Sequence, residues 1–179
     1  MPQSEIGHLV LQEAGRNIFL TLRTPKNAAP ILQKLIPLER NVVISMDTFC
    51  KDIDDSLQFL PISLEDVSRF YDMMSNTDDR ASNIVICSGP VPRIQFGAVY
   101  LLGCYMIICG FNLEKVRSAL HEFEALASRF DCNGMSCYDF WSAFHQAWRG
   151  KWVSFGECDE FETDTKTIIE IEEYKHYSR

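Results

Sequence analysis

The segment Ile84-Val85-Ile86-Cys87-Ser88-Gly89-Pro90-Val91-Pro92-Arg93 decides the fold of this chain. Its first three residues are β-branched and apolar, which predicts a short strand buried within a sheet. A loop rich in glycine and proline follows, and after it an apolar helical pattern runs over residues 94–108. The segment therefore predicts a strand, a tight loop and a long helix in immediate succession.

Cys87 and Arg93 enclose five residues, which is the layout of cysteine-dependent phosphatases. In such a site the backbone N–H groups of the loop surround a phosphate at the positive end of a helix dipole, and the same field lowers the pKa of the thiol. The arginine then binds two phosphate oxygens as a fork. The spacing predicts Cys87 as nucleophile, Arg93 as phosphate clamp, and Ser88, Gly89 and Val91 as the phosphate-binding loop.

The content of this loop favours a different interpretation. Pro90 and Pro92 carry no N–H group, so two of the expected phosphate donors are missing. Ile86 stands where a histidine normally precedes the cysteine, and Ile94 stands where a serine or threonine normally follows the arginine. A site without these donors and helpers stabilises the transition state poorly. We therefore favour a structural role for Cys87 at a strand end over catalysis.

A phosphatase of this class also needs a general acid, usually an aspartate on a loop before the cysteine. None of the upstream aspartates follows a Trp-Pro pair, which is the usual context of that acid. The candidates are Asp47, Asp52, Asp54, Asp55, Asp66 and Asp72. The lack of a typical general acid is a second, independent argument against an enzyme.

The rest of the chain alternates between strand and helix patterns, which predicts an α/β fold with a small, mostly parallel sheet covered by helices. Strands are expected at 17–22 and at 41–46, the second buried on both faces. Helices are expected at 64–74 after a capping-box start at Ser63, at 113–126 after Asn112, and at 135–149. The aromatic residues of the last helix, Trp141, Phe144 and Trp148, belong either to the core or to an apolar surface left by an absent neighbouring domain.

Composition limits the classes of function. A chain of 179 residues with 46% hydrophobic residues fits one domain, and its net charge of −8 argues against nucleic acid or an anionic membrane as partner. No apolar stretch is long enough to span a bilayer, and the basic start of a signal peptide is missing. Seven scattered cysteines predict reduced thiols in the cytoplasm or nucleus. No metal site and no cofactor are expected.

Five segments spread over nearly the whole chain carry a resemblance to a known family. They are RNIFLTLR at 16–23, QFLPISL at 58–64, LLGCYMII at 101–108, NLEKVRSAL at 112–120 and EEYKHY at 172–177. In this order they resemble the N-terminal domain of the cell-division-cycle-fourteen dual-specificity phosphatases. In that family two phosphatase-like domains stand in tandem. The first is degenerate and forms one wall of the substrate groove, whereas the second performs the chemistry.

The resemblance implies a protein-tyrosine-phosphatase-like domain at 1–156, followed by an acidic, helical, linker-like tail at 157–179. Glu172 and Glu173 match acidic linker positions that favour a basic residue in the bound peptide. The implied function is a non-catalytic, phosphatase-like interaction module. Its partner would be a phosphoprotein or basic peptide, or a separate catalytic phosphatase domain. The alternative is a minimal protein tyrosine or dual-specificity phosphatase that uses Cys87 and Arg93.

Overall fold

The computed structural model describes residues 8–13, 16–22, 41–50, 62–77, 83–127 and 134–153. These ranges contain four strands, which are β1 (His8–Glu13), β2 (Arg16–Thr21), β3 (Asn41–Ser45) and β4 (Asn83–Cys87). They also contain five helices, which are α1 (Met46–Phe49), α2 (Leu64–Ser75), α3 (Pro92–Ile108), α4 (Leu113–Ala127) and α5 (Cys137–Arg149). The described part of the chain is therefore mixed α/β, as the sequence predicts.

The sheet has the strand order β1-β2-β4-β3. Strands β2, β4 and β3 run parallel, and β1 pairs antiparallel with β2 at one edge. Strand β4 lies between two parallel neighbours and all five of its residues are buried, because Asn83-Ile-Val-Ile-Cys87 is continuously apolar apart from its first residue. Alternate side chains point to opposite faces: Ile84 and Ile86 join the main core, whereas Val85 and Cys87 pack with Phe19.

The prediction of a small, mostly parallel sheet with helices is confirmed at this coarse level. The sequence patterns did not reveal strand β1. The expectation that the strand at 41–46 is buried on both faces is wrong, because the side chain of Val43 is 49% exposed. This strand also ends one residue early, since Met46 begins helix α1. The finer, phosphatase-like architecture stays a prediction.

Helix α2 begins with the capping box that the sequence predicts. The Ser63 side chain accepts a hydrogen bond from the Asp66 N–H at 3.1 Å, and the Asp66 carboxylate accepts one from the Ser63 N–H at 2.8 Å. This exchange satisfies two backbone donors that the first turn of a helix leaves without partners. The start of α2 is thus fixed by the local sequence alone.

Helix α3 forms the centre of the core, with every residue from Gln95 to Ile107 buried. A helix that is apolar on all sides has this position in a fold. The helix ends at Ile108, and two residues later Gly110 has a φ of +88°, which glycine adopts at little cost. The N–H of Phe111 donates back to the Met106 carbonyl at 3.0 Å. Helix α4 follows after Asn112, whose side chain accepts from the Lys115 N–H as predicted.

Helix α5 packs against α3 through Trp141, which is almost completely buried. Its indole N–H donates to the Tyr100 carbonyl at 3.0 Å, and its ring lies directly against Gly103. A methyl group on Gly103 would overlap the indole. Phe144 is buried beside it and Trp148 is half-buried. The core interpretation of these aromatic residues is therefore confirmed, and an exposed apolar surface made of Trp141 and Phe144 is excluded.

Several predicted features lie outside the described residues. They are the boundary at 156, the acidic tail 157–179 with Glu172 and Glu173, and three of the candidate acids, Asp52, Asp54 and Asp55. Over the residues that are described, no helix combines the length and the apolar character that crossing a membrane requires.

Candidate functional site

Cys87 is the last residue of strand β4 rather than a residue of the loop. It is held in the parallel ladder on both sides, opposite Thr21 of β2 and Ser45 of β3. Its side chain is 0% exposed and packs against Val85 and Phe19. The thiol is therefore fixed by the sheet and shielded from water.

This environment keeps the thiol protonated. Burial raises the pKa of Cys87 from 9.0 to about 11, and the nearby carboxylate of Asp47 adds to the rise. Both causes disfavour the thiolate, because one removes water and the other is a like charge. Only the thiolate is a good nucleophile. At neutral pH the Cys87 sulfur is thus in its unreactive form.

The first two N–H groups of the loop are engaged inside the protein. The Ser88 N–H donates to the Thr21 carbonyl at 3.0 Å, and the Gly89 N–H donates to the Asp47 carboxylate at 2.8 Å. Pro90 and Pro92 have no N–H group to offer. A phosphate would therefore have to compete with a backbone carbonyl and a carboxylate for these two donors.

Arg93 is half-buried and lies in the first turn of α3. Its positive charge acts on Cys50, whose pKa is raised to about 11 by burial and by Asp66 while Arg93 opposes the rise. The charge that acts on Cys87 is instead that of Asp47. The structure therefore brings Cys87, Gly89 and Asp47 together, while the charge of Arg93 acts on Cys50.

Asp47 reaches the loop because helix α1 is held tightly. Met46 is fully buried, and Phe49 packs edge-on against Phe70 of α2 with 5.8 Å between the ring centroids. The guanidinium of Arg69 lies 4.9 Å above the Phe49 ring. With the residues on both sides of it anchored, the Asp47 side chain turns toward Gly89.

Two of the three described candidate acids accept hydrogen bonds that hold the fold. Asp47 accepts the Gly89 N–H, Asp66 belongs to the capping box of α2, and Asp72 is exposed on the same helix. The contact between Asp47 and Gly89 joins residues 42 positions apart. No local pattern marks such a pair, so sequence reasoning names Asp47 only as one of several aspartates.

No protein-family model matches this chain, and no curated protein matches it at a significant level of similarity. Function must therefore be argued from the site itself. Across the described ranges, no group of three or more His, Cys, Asp or Glu side chains is arranged to hold a metal ion.

Proposed function

We propose that this chain is a non-catalytic, phosphatase-like interaction module, related in fold to the N-terminal domain of dual-specificity protein phosphatases. One observation carries the proposal: Cys87, which ends the central strand β4, is fully buried and its pKa is raised to about 11. A nucleophile with that pKa is almost entirely protonated at neutral pH. The strand, loop and helix follow one another in the order that such a phosphatase site uses, but the cysteine is held as the thiol.

The loop supports the same proposal. Catalysis of phosphoryl transfer relies on donors that are already aimed at the transferred group. Here the N–H groups of Ser88 and Gly89 are bonded to Thr21 and Asp47, and two further positions are prolines. Such a loop offers little stabilisation to a transition state, whatever the protonation state of the thiol.

The proposed partner is a phosphoprotein or a basic peptide, or else a separate catalytic phosphatase domain, in the cytoplasm or nucleus. The net charge of −8 favours a basic partner through long-range attraction. Glu172 and Glu173 are proposed to contact its basic residues. Val91 supports a contact surface beside the loop, since it is an apolar side chain that is 46% exposed there.

The second candidate is a minimal cysteine-dependent phosphatase. It is favoured by the order of the elements, because Cys87 ends β4 and Arg93 lies in the first turn of α3. In this version Cys87 would attack phosphorus and Arg93 would bind the equatorial oxygens. The raised pKa of Cys87 counts against it, and so does the influence of the Arg93 charge on Cys50 rather than on Cys87.

Turnover of a generic aryl phosphate separates the two candidates. We expect purified wild-type protein and the Cys87→Ser variant to show the same background rate at neutral pH. A rate that disappears in both Cys87→Ser and Arg93→Ala would establish the phosphatase instead.

Peptide binding tests the positive half of the proposal. A basic phosphopeptide is titrated into wild-type protein and into a Glu172→Gln, Glu173→Gln double variant. Weaker binding by the double variant, with a reduced salt dependence, is the expected result. Equal binding by both proteins would remove these two residues from the proposed surface.

A further inference from the structure

Two groups that sit far apart in the sequence meet at the end of strand β4. The Asp47 carboxylate accepts the Gly89 N–H at 2.8 Å, and its second oxygen lies against the Gly89 Cα. A Cβ atom at position 89 would stand 2.5 Å from that oxygen. This close approach depends on glycine at position 89, because an added Cβ would force the Asp47 carboxylate to shift.

We propose that Asp47 is a latch that pins the loop between β4 and α3 to helix α1, and thereby closes access to Cys87. The residue directly before the latched glycine is Ser88, and the one before that is Cys87, whose side chain is 0% exposed. Because Cys87 is the last residue of β4, movement of the loop away from α1 would loosen the strand end that carries this thiol. The contact between Asp47 and Gly89 opposes this movement.

Besides the bond from the Ser88 N–H to the Thr21 carbonyl, the described loop has few hydrogen bonds that could replace the latch. The Ser88 hydroxyl donates to the neighbouring Gly89 carbonyl at 3.2 Å. Val91 is the N-cap of helix α3 but provides no side-chain cap, and the helix begins with Pro92. A single hydrogen bond to a charged acceptor is worth more than one between neutral groups. The carboxylate therefore has a large share in holding this loop.

The latch also predicts how Cys87 responds to loss of the Asp47 charge. Asp47 is one of the two causes that raise the pKa of Cys87, the other being burial. Opening the loop and removing the charge act in the same direction, since both favour the thiolate. Modification of Cys87 by an alkylating reagent is therefore a sensitive measure of the latch.

Alkylation with iodoacetamide, followed by mass-spectrometric mapping of each cysteine, tests the proposal on the whole chain. In Asp47→Ala we expect the rate at Cys87 to rise about tenfold to a hundredfold, as loss of one charge-assisted hydrogen bond predicts. Cys104 provides an internal reference, because it is buried in the middle of α3 away from the loop. Its rate stays unchanged if the loop alone opens.

Two further variants sharpen the result. Asp72→Ala removes an exposed aspartate of α2, and we expect wild-type rates at both cysteines. Asp47→Asn keeps an oxygen that can accept the Gly89 N–H but loses the charge, so the rate at Cys87 should lie between those of wild type and Asp47→Ala. This variant also keeps the test valid if Asp47→Ala fails to fold.

Hydrogen exchange of the Gly89 amide is an independent measurement. Its exchange should accelerate in Asp47→Ala while that of Ile86, in the middle of β4, does not. Unchanged modification of Cys87 in both Asp47 variants, or a rise at Cys87 that Cys104 matches, would overturn the latch. The proposed non-catalytic function does not depend on this outcome, because it is decided by turnover in the wild-type protein.

Discussion

Among the described glycines, the two that side chains approach most closely are Gly103, within helix α3, and Gly89, just before it, and the two contacts differ in kind. At Gly103, in the middle of α3, the ring of Trp141 lies on the helix backbone within a dry core. At Gly89, just before α3, a carboxylate lies on the loop backbone. The first contact fixes how two helices pack. The second occupies a donor that a phosphate-binding loop would need.

The contact at Gly103 stabilises the fold, whereas the contact at Gly89 affects the candidate site. The contact between Gly103 and Trp141 is part of the burial of a large aromatic side chain, which stabilises the fold. The contact between Gly89 and Asp47 is one hydrogen bond, and it places a negative charge near a thiol. The scaffold around α3 is built by packing, whereas the character of Cys87 is set by burial and by one polar contact.

Removal of Trp141 gives the largest expected effect and tests the packing side of the comparison. Trp141→Ala should lower the free energy of unfolding by about 3–5 kcal/mol, since it opens a cavity and leaves the Tyr100 carbonyl without its donor. The matched control is Trp152→Ala, because Trp152 is 74% exposed and should change stability by less than about 0.5 kcal/mol. Urea denaturation measures both. Similar losses in the two variants would contradict the assigned core.

A methyl group on Gly89 tests the polar side. Gly89→Ala should cost about 1–3 kcal/mol in free energy of unfolding, because the new atom displaces the Asp47 carboxylate. The cost should be smaller in an Asp47→Ala background, where that oxygen is absent. A double-mutant cycle gives the coupling energy directly. Additive costs would mean that the two residues do not interact.

The cap of α2 should have a smaller effect. Ser63→Ala removes half of the capping box and should cost about 1 kcal/mol in free energy of unfolding. The control is Ser68→Ala, which lies inside the same helix. There we expect no loss of stability, because alanine is a better helix former than serine. Thermal denaturation distinguishes them. Equal costs would show that the box adds nothing to α2, the helix that holds α1 and Asp47 in place.

The smallest expected effect is on the free energy of unfolding at alkaline pH. Because folding raises the pKa of Cys87 from 9.0 to about 11, its contribution to stability is complete below pH 9 and is lost as the pH rises toward 11. Unfolding free energies measured over this interval should therefore fall less steeply in Cys87→Ser than in wild type. Identical slopes would mean that the thiol titrates normally in the folded protein.

Local signals in the sequence account for most of the scaffold. The capping box at Ser63, the cap at Asn112 and the unbroken apolar run of β4 depend on residues close in the chain, and each is found as predicted. The prediction that both faces of the strand at 41–46 are buried is wrong, because Val43 is exposed. A run of β-branched residues favours a strand but does not indicate which of its faces is covered.

The candidate site depends on contacts that no local signal encodes. The spacing of Cys87 and Arg93 is visible in the sequence, but the ladder that fixes Cys87 and the turn of α1 that brings Asp47 to Gly89 are products of tertiary packing. Pro90 and Pro92 do predict a loop with few N–H donors. The sequence therefore predicts a poor phosphate-binding loop, but it does not indicate that the Asp47 carboxylate contacts this loop.

Titration of the Cys87 thiol tests the central claim most directly. The ultraviolet absorbance of the thiolate is followed against pH in wild type and in Cys87→Ser, and the difference between the two curves belongs to Cys87. A midpoint near pH 11 is the predicted result, because burial and Asp47 both oppose ionisation. A midpoint at or below neutral pH would contradict the account, because it would reveal the activated nucleophile of a working phosphatase.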